Sequence, residues 1–157
     1  MIERSDIFPQ FETLILPWLG RANKALHFHL ADVLSSSGIT LTRQQIILLR
    51  VLTKRNGIPQ NDLAFITDRD KTSLTRLITH MELKDLVTRK VCEEDKRINK
   101  IFITKRGLEK AKIAFPIIIR EIIKSQRDID PQDLETTLIV LKKIINNTNC
   151  KEQFAHN

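Results

Sequence analysis

Hydrophobic positions along this chain recur at helical spacing in six stretches and at strand spacing in two. From residue 6 to about 36, Phe11, Leu14, Trp18, Ala22, Ala25, His29 and Val33 fall every three or four residues, and Ile15, Leu19 and Leu26 widen the stripe. That pattern predicts one long amphipathic helix. Pro17 predicts a kink in it, because proline removes a backbone donor and crowds the preceding turn, and Ser35-Ser36-Ser37-Gly38 ends it. Thr42-Arg43-Gln44-Gln45 has capping-box spacing and opens a second helix whose positions 46–49, 51 and 52 are apolar nearly all round, as a central core helix would be. Asn56-Gly57 stops it, and residues 59–67 predict a helix of about two turns. After a break at Asp68-Arg69-Asp70, where either aspartate could serve as N-cap, residues 70–81 divide into two faces. Leu74, Leu77, Ile78 and Met81 form an apolar stripe, while Thr72, Thr75, Arg76 and Thr79 form a polar one. Two β-like runs follow, 86–92 and 98–104, around the charged tip Glu93-Glu94-Asp95-Lys96-Arg97.

The C-terminal third is helical again. Thr104 is the predicted N-cap of a helix running to about residue 126, with Leu108, Ala111, Phe115, Ile118 and Ile122 on one face and a second expected kink at Pro116. Asp130-Pro131 starts the last helix, an acidic N-cap with proline at the first helical position, and Leu134, Leu138, Leu141 and Ile145 line it. The expected fold is therefore mainly α with a small β-hairpin wing, a winged helix-turn-helix over 41–107 between long N- and C-terminal helices at 1–38 and 108–150. The flanking helices carry more apolar surface than a small winged domain covers, so burial against a partner is expected.

Composition narrows the function. At 157 residues, 41% hydrophobic and 29% charged, the chain is an ordinary globular one. Its apolar runs are too short for a membrane span, and an acidic N-terminus argues against export and for a cytoplasmic location. The net charge is +7, and residues 43–110 hold 16 Lys/Arg against 9 Asp/Glu, a surplus of 7 that leaves the flanks balanced. The whole excess coincides with the helix and hairpin, as it would on a surface that attracts a phosphate backbone. Hydroxyls backed by a guanidinium on the polar face suit base edges and neighbouring phosphates.

Taken in order, these residues resemble the MarR family of bacterial transcriptional regulators. The resemblance is carried by Leu41-Thr42-Arg43-Gln44-Gln45, Gln60-Asn61-Asp62-Leu63-Ala64, residues 71–78 and 81–89, Asp95-Lys96-Arg97, and Ile103-Thr104-Lys105-Arg106-Gly107. It implies a homodimer whose terminal helices interlock, double-stranded DNA as partner, and half-sites roughly 34–36 Å apart, one helical turn. Carried over by position, Lys71, Thr72, Ser73, Thr75, Arg76 and Thr79 face the major groove, Lys96 and Arg97 lie at the wing tip with Arg97 entering the minor groove, and Asp95 orients the loop. The resemblance also implies a repressor released by a small aromatic effector. The tip reads Asp-Lys-Arg where Asp-Arg-Arg is commoner, and Asp85 stands where a turn glycine is usual.

Other readings are weaker. His27 and His29, two apart, do not share a helix face, so no metal site is expected. No nucleophile–base set, glycine phosphate loop or metal-ligand pair is present, so neither an enzyme nor a cofactor is expected. Cys92 and Cys150 read as reduced thiols, with a redox role at Cys92 the sharper alternative, and no cysteine precedes Cys92. A winged-helix module for protein–protein contact is the main competing function, disfavoured by the basic surplus. RNA binding ranks lower, since no surface aromatics suited to base stacking stand out.

Overall fold

The computed structural model describes residues 11–148. The first residues of the predicted N-terminal helix and Cys150 lie outside this range. The chain divides after Thr40 into two compact units.

The first unit holds a short 3-10 turn, Phe11–Thr13, and helix α1, Ile15–Ser36. Pro17 falls in the first turn of α1, where backbone N–H groups have no intrahelical acceptor, so no interior bond is lost there and the predicted mid-helix kink does not arise. At the other end Gly38 takes φ +72. Its N–H donates to Ser35 O, and the Ile39 N–H donates to Leu34 O, a Schellman closure that brings buried Leu34 and Ile39 together. Most of the predicted stripe, Trp18, Leu19 and His29 included, is exposed.

The second unit contains the core. Helix α2, Arg43–Lys54, opens with the complete capping box: Gln45 N donates to Thr42 Oγ1 at 3.3 Å, and Thr42 N donates to Gln45 Oε1 at 3.0 Å. Strand β1, Ile58–Pro59, precedes α3, Gln60–Ile66, and α4, Lys71–Leu83. Strands β2, Val87–Val91, and β3, Asn99–Ile103, lead into α5, Lys105–Ser125, and α6, Pro131–Asn147. The three strands form one antiparallel sheet in the order β1-β3-β2. The expected hairpin thus gains a third strand, with Ile58 opposite Ile101 and Pro59 opposite Lys100. Leu48, Leu49 and Leu52 of α2, Leu63 of α3, Leu74, Ile78 and Met81 of α4, and Ile58 and Ile101 of the sheet pack into one core. Helix α5 runs through Pro116 and keeps Gly107, Ala111 and Ala114 buried.

The turn after α4 joins the helix to the wing. Asp85 N donates to Glu82 O and Leu86 N to Met81 O, a second Schellman closure, with Asp85 in the left-handed region at φ 53. The turn glycine that the family favours here is replaced by one of the side chains that tolerate this region. Thr104, the N-cap of α5, closes the same junction: its hydroxyl donates to Asp85 O and accepts from Gly107 N, and its own N–H donates to Leu86 O. Gly107 fits because a Cβ there would lie 2.0 Å from Leu86 O.

Helix α6 has no buried residue, and Leu138, Ile139 and Val140 are exposed. No helix among the described residues is long and apolar enough to cross a membrane.

Gly107→Ala is expected to destabilise the fold by about 3 kcal/mol or more, read as a fall in urea midpoint, since the neighbour is backbone and cannot rotate away. Asp85→Val is expected to cost about 1–2 kcal/mol in the same assay, while Asp85→Gly is tolerated.

Candidate nucleic-acid interface

The site is built on α4. Asp70 is its N-cap, with Oδ1 accepting from Ser73 N at 2.8 Å. Asp68, the other candidate cap, instead occupies the left-handed position (φ 49) of a third Schellman closure, where Asp68 N donates to Phe65 O and Arg69 N to Ala64 O. This closure is the turn between α3 and α4.

With Leu74, Ile78 and Met81 in the core, Lys71, Thr72, Thr75, Arg76 and Thr79 are exposed. Ser73 is half-buried on the flank of that face, where its Oγ accepts from Arg69 Nη1. Two threonine hydroxyls are already engaged. Thr75 Oγ1 donates to Lys71 O and accepts from Gln60 Nε2, both at 2.8 Å, and Thr79 Oγ1 donates to Thr75 O at 3.0 Å. Their protons are directed into the helix, so these residues present methyl groups and lone pairs outward. The unengaged donors on this face are Lys71, Thr72 and Arg76, none of which makes a hydrogen bond or ion pair through its side chain among the described residues. The array suits a guanine edge at Arg76 and thymine methyls at the threonines.

The wing stands beside it. Its loop is closed by Cys92 N donating to Ile98 O, by Ile98 N donating to Asp95 O, and by Arg97 N donating to Asp95 Oδ1 at 2.9 Å. Asp95 therefore faces into the loop, and the side chains of Lys96 and Arg97 are exposed. The wing is tied to α4 by Glu82, whose Oε1 accepts from Arg89 N at 2.9 Å while Oε2 lies 3.3 Å from Arg89 Nη2. Strand β2 is at the sheet edge, so this carboxylate caps an otherwise open backbone donor. The lysine and phenylalanine flanking the hairpin also touch, with Lys90 Nζ 5.3 Å from the Phe102 ring centre.

Sequence reading passed over Gln60 and Arg69, each of which positions a residue of the face, and the Glu82–Arg89 pair, which ties the wing to α4. Two hollows adjoin this surface. One, of about 350 Å³, separates the start of α2 from the α3–α4 turn and is lined by Arg43, Asp68, Arg69 and Asp70, two charges of each sign. The other, of about 100 Å³, lies between α3 and the wing. No cluster of His, Cys, Asp or Glu suited to a metal occurs among the described residues.

The family model described as the MarR family matches residues 38–98, the capped α2, the helix-turn-helix and most of the wing. Over those residues the chain is similar to the MarR family. A curated relative, the uncharacterized HTH-type transcriptional regulator YybA of Bacillus subtilis (strain 168), is 32% identical over 83 residues, and the alignment spans about half of each protein (53%). Among solved structures, AbsC of Streptomyces coelicolor, a MarR family transcriptional regulator, superposes with TM-score 0.75 at 29% identity, covering 87% of this chain and 95% of that one. The transcriptional repressor CouR bound to a 23-mer DNA duplex gives TM-score 0.79 at 17% identity over 87% and 96%, a likeness of fold. The winged helix expected from the sequence is thus the fold of this chain, matching that of MarR-family structures.

Buried Cys92 sits at the base of the wing. Amide donors of Asp95 and then Glu94 hold its thiol below the ordinary value, burial opposes them, and nearby Lys100 adds to the lowering. A thiol depressed in the folded state adds stability as the pH rises from its folded pKa towards the unfolded one, and loses that increment as the pH falls. The urea midpoint of wild type is therefore expected to gain on Cys92→Ser between pH 6 and pH 9; equal midpoint differences at both pH values would contradict the lowered pKa.

Proposed function

We propose that this chain is a sequence-specific DNA-binding transcriptional regulator, acting as a homodimeric repressor on a pseudo-palindromic operator. The observation that carries the reading is the exposed face of α4. It is held by a buried stripe on one side, offers Lys71, Thr72 and Arg76 as unengaged donors on the other, and lies within the segment holding the whole excess positive charge. With α4 in the major groove, Arg76 reaches a base edge, Thr75 and Thr79 set methyl groups against it, and Lys71 and Ser73 flank the phosphates. The wing, with Lys96 and Arg97, lies along the adjacent minor-groove side.

The dimer is supported by the uncovered apolar residues of α1, α5 and α6, among them Trp18, Ile119, Ile123 and Leu138, on both the N- and C-terminal helices that the family resemblance assigns to dimerisation. Faces of this size are rarely left open in a monomer. Paired winged units then meet half-sites roughly 34–36 Å apart. An effector would act by binding one dimer geometry better than the other and so shifting that spacing. A small aromatic or phenolic compound is the class to screen, by release of a bound operator; an operator released by neither ligand nor oxidant would leave a constitutive binder.

The test is fluorescence anisotropy on the DNA upstream of the chain's own coding region against scrambled duplex, at two salt concentrations. Wild type is expected to prefer the upstream DNA, with log affinity falling by about 0.9 per phosphate neutralised as log salt rises. Arg76→Ala is expected to abolish that preference at a cost of about 1–3 kcal/mol. A uniform loss on all sequences would make Arg76 a phosphate contact, and no binding to either duplex at low salt would leave the protein–protein module.

A further inference from the structure

The small hollow between α3 and the wing is lined by Gln60, Asn61, Arg97, Ile98 and Asn99. Its position follows from strand register. Pro59 lies opposite Lys100 in the β1–β3 pair, so the residues just after Pro59 come alongside those just before Lys100. This places Gln60 and Asn61, at the start of α3, beside Ile98 and Asn99 of the wing. One wall is fastened to the reading helix through the Gln60–Thr75 hydrogen bond, and the other carries the wing loop. The hollow therefore lies between the two elements that address DNA.

We propose that this crevice seats the sugar–phosphate strand that separates the major from the minor groove, with the amides of Asn61 and Asn99 donating to one phosphodiester and Arg97 supplying the countercharge. The inference rests on the DNA-binding function proposed above. A protein with a helix in one groove and a hairpin along the next must straddle that strand, and contacts to phosphate are what set its register on the duplex. The chemistry of the walls agrees. Amide and guanidinium donors face the hollow, no carboxylate lines it, and Asp95 is turned instead onto the Arg97 amide. Among the described residues the side chains of Asn61, Asn99 and Arg97 make no hydrogen bond, so their donors are available to a ligand. A volume of about 100 Å³ admits a phosphodiester group but is well below the 300–1,000 Å³ or so of pockets that enclose small organic ligands. A neutral amide also reads no sequence at this place, so the interaction adds affinity without specificity.

The test is a methylphosphonate walk. A fluorescent duplex that wild type selects from a random pool is remade with one neutral methylphosphonate at successive positions, and binding of wild type, Asn61→Ala, Asn99→Ala and Arg97→Ala is measured by anisotropy. Wild type is expected to weaken about tenfold at one position per half-site, the scale of a hydrogen bond to a charged group. Asn61→Ala and Asn99→Ala, each weaker by a similar factor on every unmodified sequence, are expected to lose less than wild type loses at that position, because part of its contact is already gone. Arg97→Ala is expected to flatten the salt dependence by about 0.9 in log–log slope for each phosphate that it leaves without its countercharge. Effects that simply multiply at all positions would overturn the proposal, because the amides and the phosphate would then be independent. Wild-type binding undiminished in both asparagine variants would overturn it too, while leaving the DNA-binding function intact. Failure of wild type to select any duplex would remove both. The walk on wild type needs no substitution, so its outcome does not depend on a variant folding.

Discussion

Both elements of the proposed DNA-binding surface, α4 and the wing, hang on the backbone junction at Leu86. The carbonyl of Leu86 accepts from Thr104 N, the Leu86 N–H closes the end of α4 onto Met81 O, and Gly107 packs against the same carbonyl with no side chain between. The end of the reading helix, the first wing strand and the start of α5 are joined within a few ångströms. Because the partners are main-chain groups, the angle between helix and wing is set by hydrogen-bond geometry rather than by adjustable side chains. The Glu82–Arg89 pair adds a second tie between α4 and β2.

A rigid frame alters what the reading face can do. Thr75 and Thr79 direct their protons back to the carbonyls one turn earlier, and Gln60 completes the acceptor side of Thr75. Hydroxyls bound in this way have fewer hydrogen bonds left to offer a base edge, whereas the side chains of Arg76 and Thr72 keep theirs. Affinity then has to come largely from charge and backbone contact, in keeping with a surplus of seven positive charges confined to residues 43–110.

Away from this frame a good deal of apolar surface stays uncovered. Helix α6 buries nothing, and α1 and α5 expose large aliphatic and aromatic side chains. Hydrophobic stabilisation scales with the area withdrawn from water, so these faces represent burial that a single copy does not achieve.

Most of the fold could be read directly from the sequence, because the features that specify it are local. The buried stripe of α4, the capping box at Thr42 and Gln45, the caps at Thr104 and Asp130, and the hairpin each depend on residues within a few positions of one another. Periodicity and capping are written at that range. What only the tertiary structure decided involves residues far apart in the chain: β1 joining β3, Asn56 Oδ1 accepting from Ile103 N, Gln60 holding Thr75, and Asn61 meeting Asn99 across a crevice. Pro17 and Asp68 show the same division at short range. Their residue types announced a break and a cap, but where the helices began and ended determined that Pro17 falls in the first turn of α1, and that Asp68 takes the left-handed turn position while Asp70 caps α4. Local pattern sets which faces and ends exist, and packing, by choosing which distant groups share a hydrogen bond, decides what those faces have left to offer a partner.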